Sequence, residues 1–237
     1  MALNFGIGAG HGPPKPYNLR NGNHQDVVDQ LRESAALKRL ALHQSASFKF
    51  YFPKLYDYYH KHTIPVREKH QELVANWILS IFSAAAVNLG PEVATYFHRD
   101  GRNLAFGPCA IHALGEYNFT KGGHLVLKEP KLIIQFPPGC LILLPSATIT
   151  HGNTPVQAGE KRVSFTQYTA GALFRYVDNN FGTEAQLKRK SKALYKKMLE
   201  DKETRWEMGI AMWPTVKELL ERAADESVFE SAGSGDA

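Results

Sequence analysis

His98 and Asp100, in the stretch YFHRDGRNLAFG (96–107), are separated by a single residue. On an extended chain such a pair projects from one side, so an imidazole nitrogen and a carboxylate oxygen can reach one cation. The triplet alone is weak evidence: the chain contains three, where ten His and 23 acidic residues would give about one by chance. The other two read as local structure. In HQD (24–26), Asp26 is placed to accept from the free amides of a helix start. In VREKHQELVANWIL, the apolar spacing puts His70 and Glu72 on different faces of a helix. His98 and Asp100 differ in having a third donor available, His151, which directly follows the apolar run CLILLPSA. Two imidazoles and one carboxylate on one face of an octahedron leave three positions open, the arrangement with which non-haem Fe(II) oxygenases hold a keto acid and O2.

Eleven positions beyond His151, RVS opens an alternating strand in which Arg162, Ser164, Thr166 and Tyr168 share one face. A guanidinium and a hydroxyl on that face can grip a distal carboxylate through charge-assisted hydrogen bonds, which suits 2-oxoglutarate. Lys161 points to the opposite face and is the lesser candidate. His112 and His124 lie in CAIHAL and GGHLVL without a carboxylate at ligand spacing and read as wall or surface residues. The expectation is that His98, Asp100 and His151 are the catalytic ligands of Fe(II), with Arg162 and Ser164 binding 2-oxoglutarate.

The elements that must position these residues follow from pattern. Residues 81–177 divide into seven short apolar or alternating runs: IFSAAAVNL, VATYFHRD, PCAIHALG, GGHLVLKE, KLIIQFP, CLILLPS and RVSFTQYTAG. Turn signals separate them, and strands at this spacing predict a sandwich or jelly-roll barrel. Residues 26–80 read as mainly helical with interruptions at Pro53 and Pro65, their aromatics packing on the main domain rather than stacking on bases. Helices return after Thr183 and run to about Ala224, Pro214 starting or kinking the last. The class is thus mainly β with flanking helices (α+β). The expected organisation is a flexible lead-in over 1–25, one domain over 26–183 with its barrel at 81–183, basic helices over 184–224 packed on it, and a disordered tail over 225–237.

With 43% hydrophobic residues the chain can bury a full core. Two cysteines at unrelated spacing exclude a disulfide framework or thiolate zinc site and suit a reducing compartment. Neither a signal-peptide pattern nor a membrane-length apolar run is present, so no membrane partner is expected. The opening Gly series does not complete G-x-G-x-x-G, since His11 occupies the last slot. Net charge is +5 with a pI near 9.1, and the surplus concentrates in EAQLKRKSKALYKKMLEDKETR (184–205). That segment reads either as a solvated helix face or as a phosphate contact or nuclear import signal.

The motifs FSAAAVNLGP, HRDGRNLAFGPCAIHALG, FTKGGHLVLKE, IIQFPPGCLILLPSATITHGNTPV and GEKRVSFTQYTAGALFRYVDNNF together resemble the fungal, transposon-associated branch of the TET/JBP nucleic acid dioxygenases. The resemblance covers residues 81–181 and, more loosely, the helical lead-in. It implies a double-stranded β-helix, Fe(II), 2-oxoglutarate and O2, and oxidation of 5-methylcytosine in duplex DNA to 5-hydroxymethylcytosine and further products, with the base flipped out. It also implies a nuclear location; a monomer is favoured. Asn103 matches a position that contacts the base edge, and Tyr168 is placed either to stack on the extruded base or to pack. Two departures stand out. Glu92 replaces a basic residue common in the fungal relatives, and Pro108 replaces a Trp. The same ligands and anchor would also serve oxidation of N6-methyladenine, RNA or a protein side chain, and a DNA-binding transposon-accessory protein with a weak iron site is the reading from another class.

Overall fold

The computed structural model describes residues 1–225. Two antiparallel sheets form its centre. The larger runs in the order β2 (Tyr17–Asn18), β1 (Ala2–Gly8), β3 (Ala84–Asn88), β9 (Lys161–Tyr168), β4 (Cys109–Glu116) and β7 (Leu141–Leu144). The smaller runs β6 (Leu132–Ile134), β5 (Leu125–Leu127), β8 (His151–Asn153). With helices on the outside this is the α+β jelly-roll class expected from the strand spacing.

Register assigns each side chain its face. Asn4 pairs with Ala86, Ala86 with Thr166, and Thr166 with Ile111, so one row crosses four strands of the large sheet. All four residues line one cavity. Their neighbours in sequence point the other way, as the two-residue period of a strand requires. Leu3, Phe5, Ala85, Val87 and Phe165 pack there with Val28, Ala41 and Trp77. That outer face is covered by α1 (Gln25–Glu33) and α2 (Ala35–Tyr51), and α3 (Pro53–Lys69) packs beside them. Between the sheets, Cys109, Ala113 and Leu144 of the large one meet Leu125 and Leu127 of the small one, closed by Tyr117, Phe136 and Val156. Of the lead-in aromatics Phe48, Phe52, Tyr56, Tyr58 and Tyr59 pack into the core as expected, the Phe48 ring 5.0 Å from Tyr59 and 5.4 Å from Phe82, whereas Tyr51 stays exposed.

Several expectations are corrected. Residues 1–25 are not a flexible lead-in: β1 lies between β2 and β3, and Leu3, Phe5 and Ile7 are at most 3% exposed. Their alternation is hidden among glycines, and the pairing partner lies some eighty residues away, so no local turn signal announces the strand. VATYFHRD forms no strand; residues 92–98 run as a strap held by isolated bridges, Glu92 to Arg162 and His98 to His151. The barrel segment ends before 183, because α4 (Gly171–Asp178) turns away with Leu173, Phe174 and Tyr176 buried. Pro53 starts α3, while Pro65 sits inside it without ending it. Asp26 lies in the first turn of α1 and is not its cap; His24 holds that position with no side-chain cap bond. His70 and Glu72 do not occupy two faces of a helix, since α3 stops at Lys69 and the His70 ring lies 3.2 Å from the Glu72 carboxylate. Helices α5 (Glu184–Lys190), α6 (Lys192–Ile210) and α7 (Val216–Ala224) follow, the last starting just after Pro214. The tail expected over 225–237 lies, from residue 226, outside the described residues. No helix among the described residues is long and apolar enough to cross a membrane.

Candidate metal centre

The strap 92–98 brings the two halves of the site together. His98 and His151 exchange both backbone hydrogen bonds, each N to O distance 3.0 Å, which sets their rings 4.4 Å apart. Gly152 makes this approach feasible: a Cβ there would lie 2.8 Å from the Thr95 carbonyl and 3.1 Å from the Phe97 ring. A polar clamp holds the same junction. Glu129 accepts from the Thr150 amide and hydroxyl, both at 2.7 Å, and pairs with Arg99, which also donates to the Thr150 hydroxyl. The Thr150 and Arg99 bonds hold the Glu129 carboxyl well down, at about 2.

His98, Asp100 and His151 offer donor atoms that all lie within 4.8 Å of one another. The Nδ1 of His98 lies 2.8 Å from the Tyr96 carbonyl and that of His151 lies 2.9 Å from the Ile149 carbonyl. Carbonyls only accept, so both Nδ1 atoms carry protons and donate, leaving the Nε2 lone pairs free in the neutral rings. Those Nε2 atoms face the Asp100 carboxylate at 3.5 and 4.0 Å. Three electron-rich donors aimed at one another need a proton or a cation between them. Burial pushes the His151 pKa down and so disfavours the proton. The set of two nitrogens and one oxygen therefore fits a divalent transition metal, with Asp100 and His98 on the open side and His151 buried.

This cluster opens into a cavity of about 580 Å³ whose lining includes Arg162, Ser164, Thr166 and Tyr168, the face of β9 expected from alternation. Arg162 is 2% exposed; its guanidinium donates to the Val93 carbonyl at 3.1 Å and lies 6.0 Å from the Tyr117 ring, while its Nε has no acceptor. Burial lowers its pKa, yet a guanidinium stays charged. Ser164 accepts from Asn88 at 2.9 Å, which leaves its own hydroxyl proton to give. Lys161 is exposed on the other face.

Asn103 and Tyr168 also line the cavity. Asn103 donates to the Ser146 hydroxyl at 3.2 Å, and Tyr168 donates to Asn4 at 3.2 Å while burial lifts its hydroxyl pKa to about 12. His112 stands apart, buried on the opposite face of β4 against Gln44 and His43. Glu92 and Pro108 are not in the lining: Glu92 accepts from the Gly159 amide, and the Pro108 carbonyl receives the Tyr59 hydroxyl. Among the lining residues that escaped sequence reasoning are three asparagines, Asn4, Asn88 and Asn153. For Asn88 and Asn153 strand parity was the available signal, since each shares a face with a residue at the site.

No family model and no curated protein matches the chain. Among solved structures, NgTET1 in complex with 5mC DNA superposes with a TM-score of 0.57 at 15% identity, over 72% of this chain and 61% of that one. An oxidoreductase of the 2OG-Fe(II) oxygenase family from Burkholderia pseudomallei gives 0.36 at 14% identity, over 71% and 67%. The viral collagen prolyl hydroxylase vCPH from Paramecium bursaria Chlorella virus-1, as its 2OG complex, gives 0.29 at 20%, over 37% and 57%. The first superposition shows a shared fold, and the present chain spans 61% of that protein's length.

Proposed function

We propose that this chain is an Fe(II)- and 2-oxoglutarate-dependent dioxygenase of the TET/JBP type that oxidises 5-methylcytosine in DNA. One observation carries the reading: a single cavity has three convergent metal donors in its wall and a buried guanidinium with an unpartnered Nε. A dicarboxylate keto acid needs both features, one for its keto-acid end and one for its distal carboxylate.

In this reading His98, Asp100 and His151 hold the iron, and the carbonyls of Tyr96 and Ile149 fix the ring tautomers that make the two histidines ligands. Arg162 binds the distal carboxylate by charge, and the Ser164 hydroxyl adds a donor beside it. Iron held there would supply activation of O2, the oxidant, with one oxygen atom going to the methyl group as hydroxyl and the other to succinate as 2-oxoglutarate gives two electrons and loses CO2. The protein's part is to orient both substrates and keep water out. A methyl in stacked duplex is out of reach, so the base is flipped into the cavity mouth. Asn103, through the acceptor and donor of its carboxamide, is placed for the base edge, and Tyr168 for its flat face. NgTET1, whose structure holds 5mC DNA, supports this substrate; fungal kinship rests on the sequence resemblance.

Methylated duplex DNA incubated with the protein, Fe(II), 2-oxoglutarate and ascorbate, and analysed by nucleoside mass spectrometry, is expected to yield 5-hydroxymethylcytosine with stoichiometric succinate. Succinate without any oxidised cytosine would keep the chemistry and move the substrate to N6-methyladenine, RNA or a protein side chain. DNA binding that is indifferent to iron, with no 2-oxoglutarate consumed, would favour the accessory-protein reading.

A further inference from the structure

Two of the four buried side-chain polar atoms without a hydrogen-bond partner among the described residues belong to the cavity that holds the metal donors: Arg162 Nε and Asn153 Nδ2. The first has a use in the proposed function. The second has none. A buried amide nitrogen without an acceptor is destabilising, and native structures rarely leave one without a reason.

The strap defines where Asn153 stands. Its residues meet three partners in turn: His98 bonds His151, the Thr95 carbonyl receives the Asn153 amide at 3.1 Å, and Val93 bonds Arg162 through both main chain and guanidinium. Asn153 is therefore placed between the metal end and the guanidinium end of one continuous wall. It shares a face of β8 with His151, two residues and roughly 7 Å along the strand, and it lines the same cavity. Its amide is engaged by the Thr95 carbonyl, and its Cα stands in register with Leu125 of β5. The side-chain nitrogen remains to be satisfied, and rotation about the Cβ–Cγ bond presents the NH2 to an acceptor in the cavity.

We propose that Asn153 is a further anchor for the cosubstrate beside Arg162 and Ser164, donating a hydrogen bond to the distal carboxylate of 2-oxoglutarate. The inference rests on the dioxygenase reading. The keto-acid end has the metal as its partner, whereas the distal carboxylate has two oxygens with several lone pairs to fill, and the guanidinium and the Ser164 hydroxyl leave room for one more neutral donor. Asn153 is thus a determinant of which keto acid the site accepts.

The test is binding of keto acids to the Mn(II)-loaded protein, followed calorimetrically without turnover. The probes are 2-oxoglutarate and 2-oxopentanoate, which has the same five-carbon chain without the distal carboxylate. Asn153→Ala is expected to weaken 2-oxoglutarate about tenfold, as loss of one hydrogen bond to a charged group predicts, and to leave 2-oxopentanoate and Mn(II) affinity unchanged. Asn153→Asp, which keeps the shape and adds a repelling charge, is expected to weaken 2-oxoglutarate further and again spare 2-oxopentanoate. Equal weakening of both keto acids, or of neither, overturns the assignment while the dioxygenase reading stands. Failure of the wild-type Mn(II) protein to bind 2-oxoglutarate overturns both together.

Discussion

Asp100 is the residue on which both imidazoles converge, and its backbone is fixed independently of them: its amide donates to the Ser146 carbonyl at 2.9 Å and its carbonyl receives the Asn103 amide at 2.8 Å. Removing the carboxylate therefore leaves the loop intact and subtracts only the anionic donor. Asp100→Ala is expected to lower Mn(II) affinity by more than about 100-fold, beyond the effect typical of losing an outer-shell partner, with an unchanged circular dichroism spectrum; titration calorimetry measures it. At this scale the sequence was most informative. His98, Asp100, His151 and Arg162 carry chemistry that is rare for structural residues, and strand parity alone separated Arg162 from Lys161. Asn153 carried no such mark, because whether a carboxamide finds a partner is decided by residues distant in the chain.

The strap and the helix behind the large sheet are the elements that hold the site, and each has a weak point that can be probed. Gly152→Ala puts a methyl 2.8 Å from the Thr95 carbonyl, closer than a Cβ tolerates, so the strap must move and His98 with it. The expected result is Mn(II) binding weakened by about tenfold or more with the fold retained, since small displacements of a ligand are costly; unchanged affinity would mean that the strap yields without disturbing His98. On the other face, α2 is tied to β4 and β9 by a buried polar chain in which Gln44 donates to His112 at 2.9 Å and receives Gln167 at 2.8 Å. Burial, aided by His43, pulls the His112 pKa from its ordinary 6.5 to about 4. Between those values the unfolded chain binds a proton that the folded one refuses, so stability rises with pH through this window and is lost as pH falls from about 6.5 towards 4. The loss is expected to be about 2 kcal/mol, allowing for partial access of water. His112→Gln, compared with wild type by denaturant unfolding at pH 7 and pH 4.5, is expected to remove that part of the pH dependence; parallel curves would exclude it. Elements were less legible than residues. Six of the seven expected runs became strands, because each carries its own alternation or apolar block. The missing one, VATYFHRD, alternates too, but it meets different partners along its length and never forms a continuous ladder. β1 was missed for the converse reason, its pairing with β3 being wholly long-range.

For the molecule as a whole, the question is where the surplus of positive charge acts. Helices α5 and α6 are stable by their own chemistry: Thr183 and Gln186 form a reciprocal cap, Ser191 caps the next helix, and Leu187 and Met198 are buried against the body. Lys188, Arg189, Lys190 and Lys192 then stand exposed around one helix junction, displayed by a rigid support rather than by a tail. A merely solvated face would need charge of either sign; four cations within five positions, in a chain of net charge +5, favour a polyanion. If these side chains touch DNA phosphates, each contact releases counterions and contributes about 0.9 to the slope of log affinity against log salt. Replacing all four with Gln is expected to flatten that slope by about 2 or more, measured by fluorescence anisotropy on a short duplex across a salt series. Oxidation of a free nucleoside or short single strand, which makes few of those contacts, is expected to be unchanged. An unaltered slope would assign the phosphate contacts to the cavity rim, where Arg102 stands beside the metal donors, and would leave the basic helices as a solvated surface.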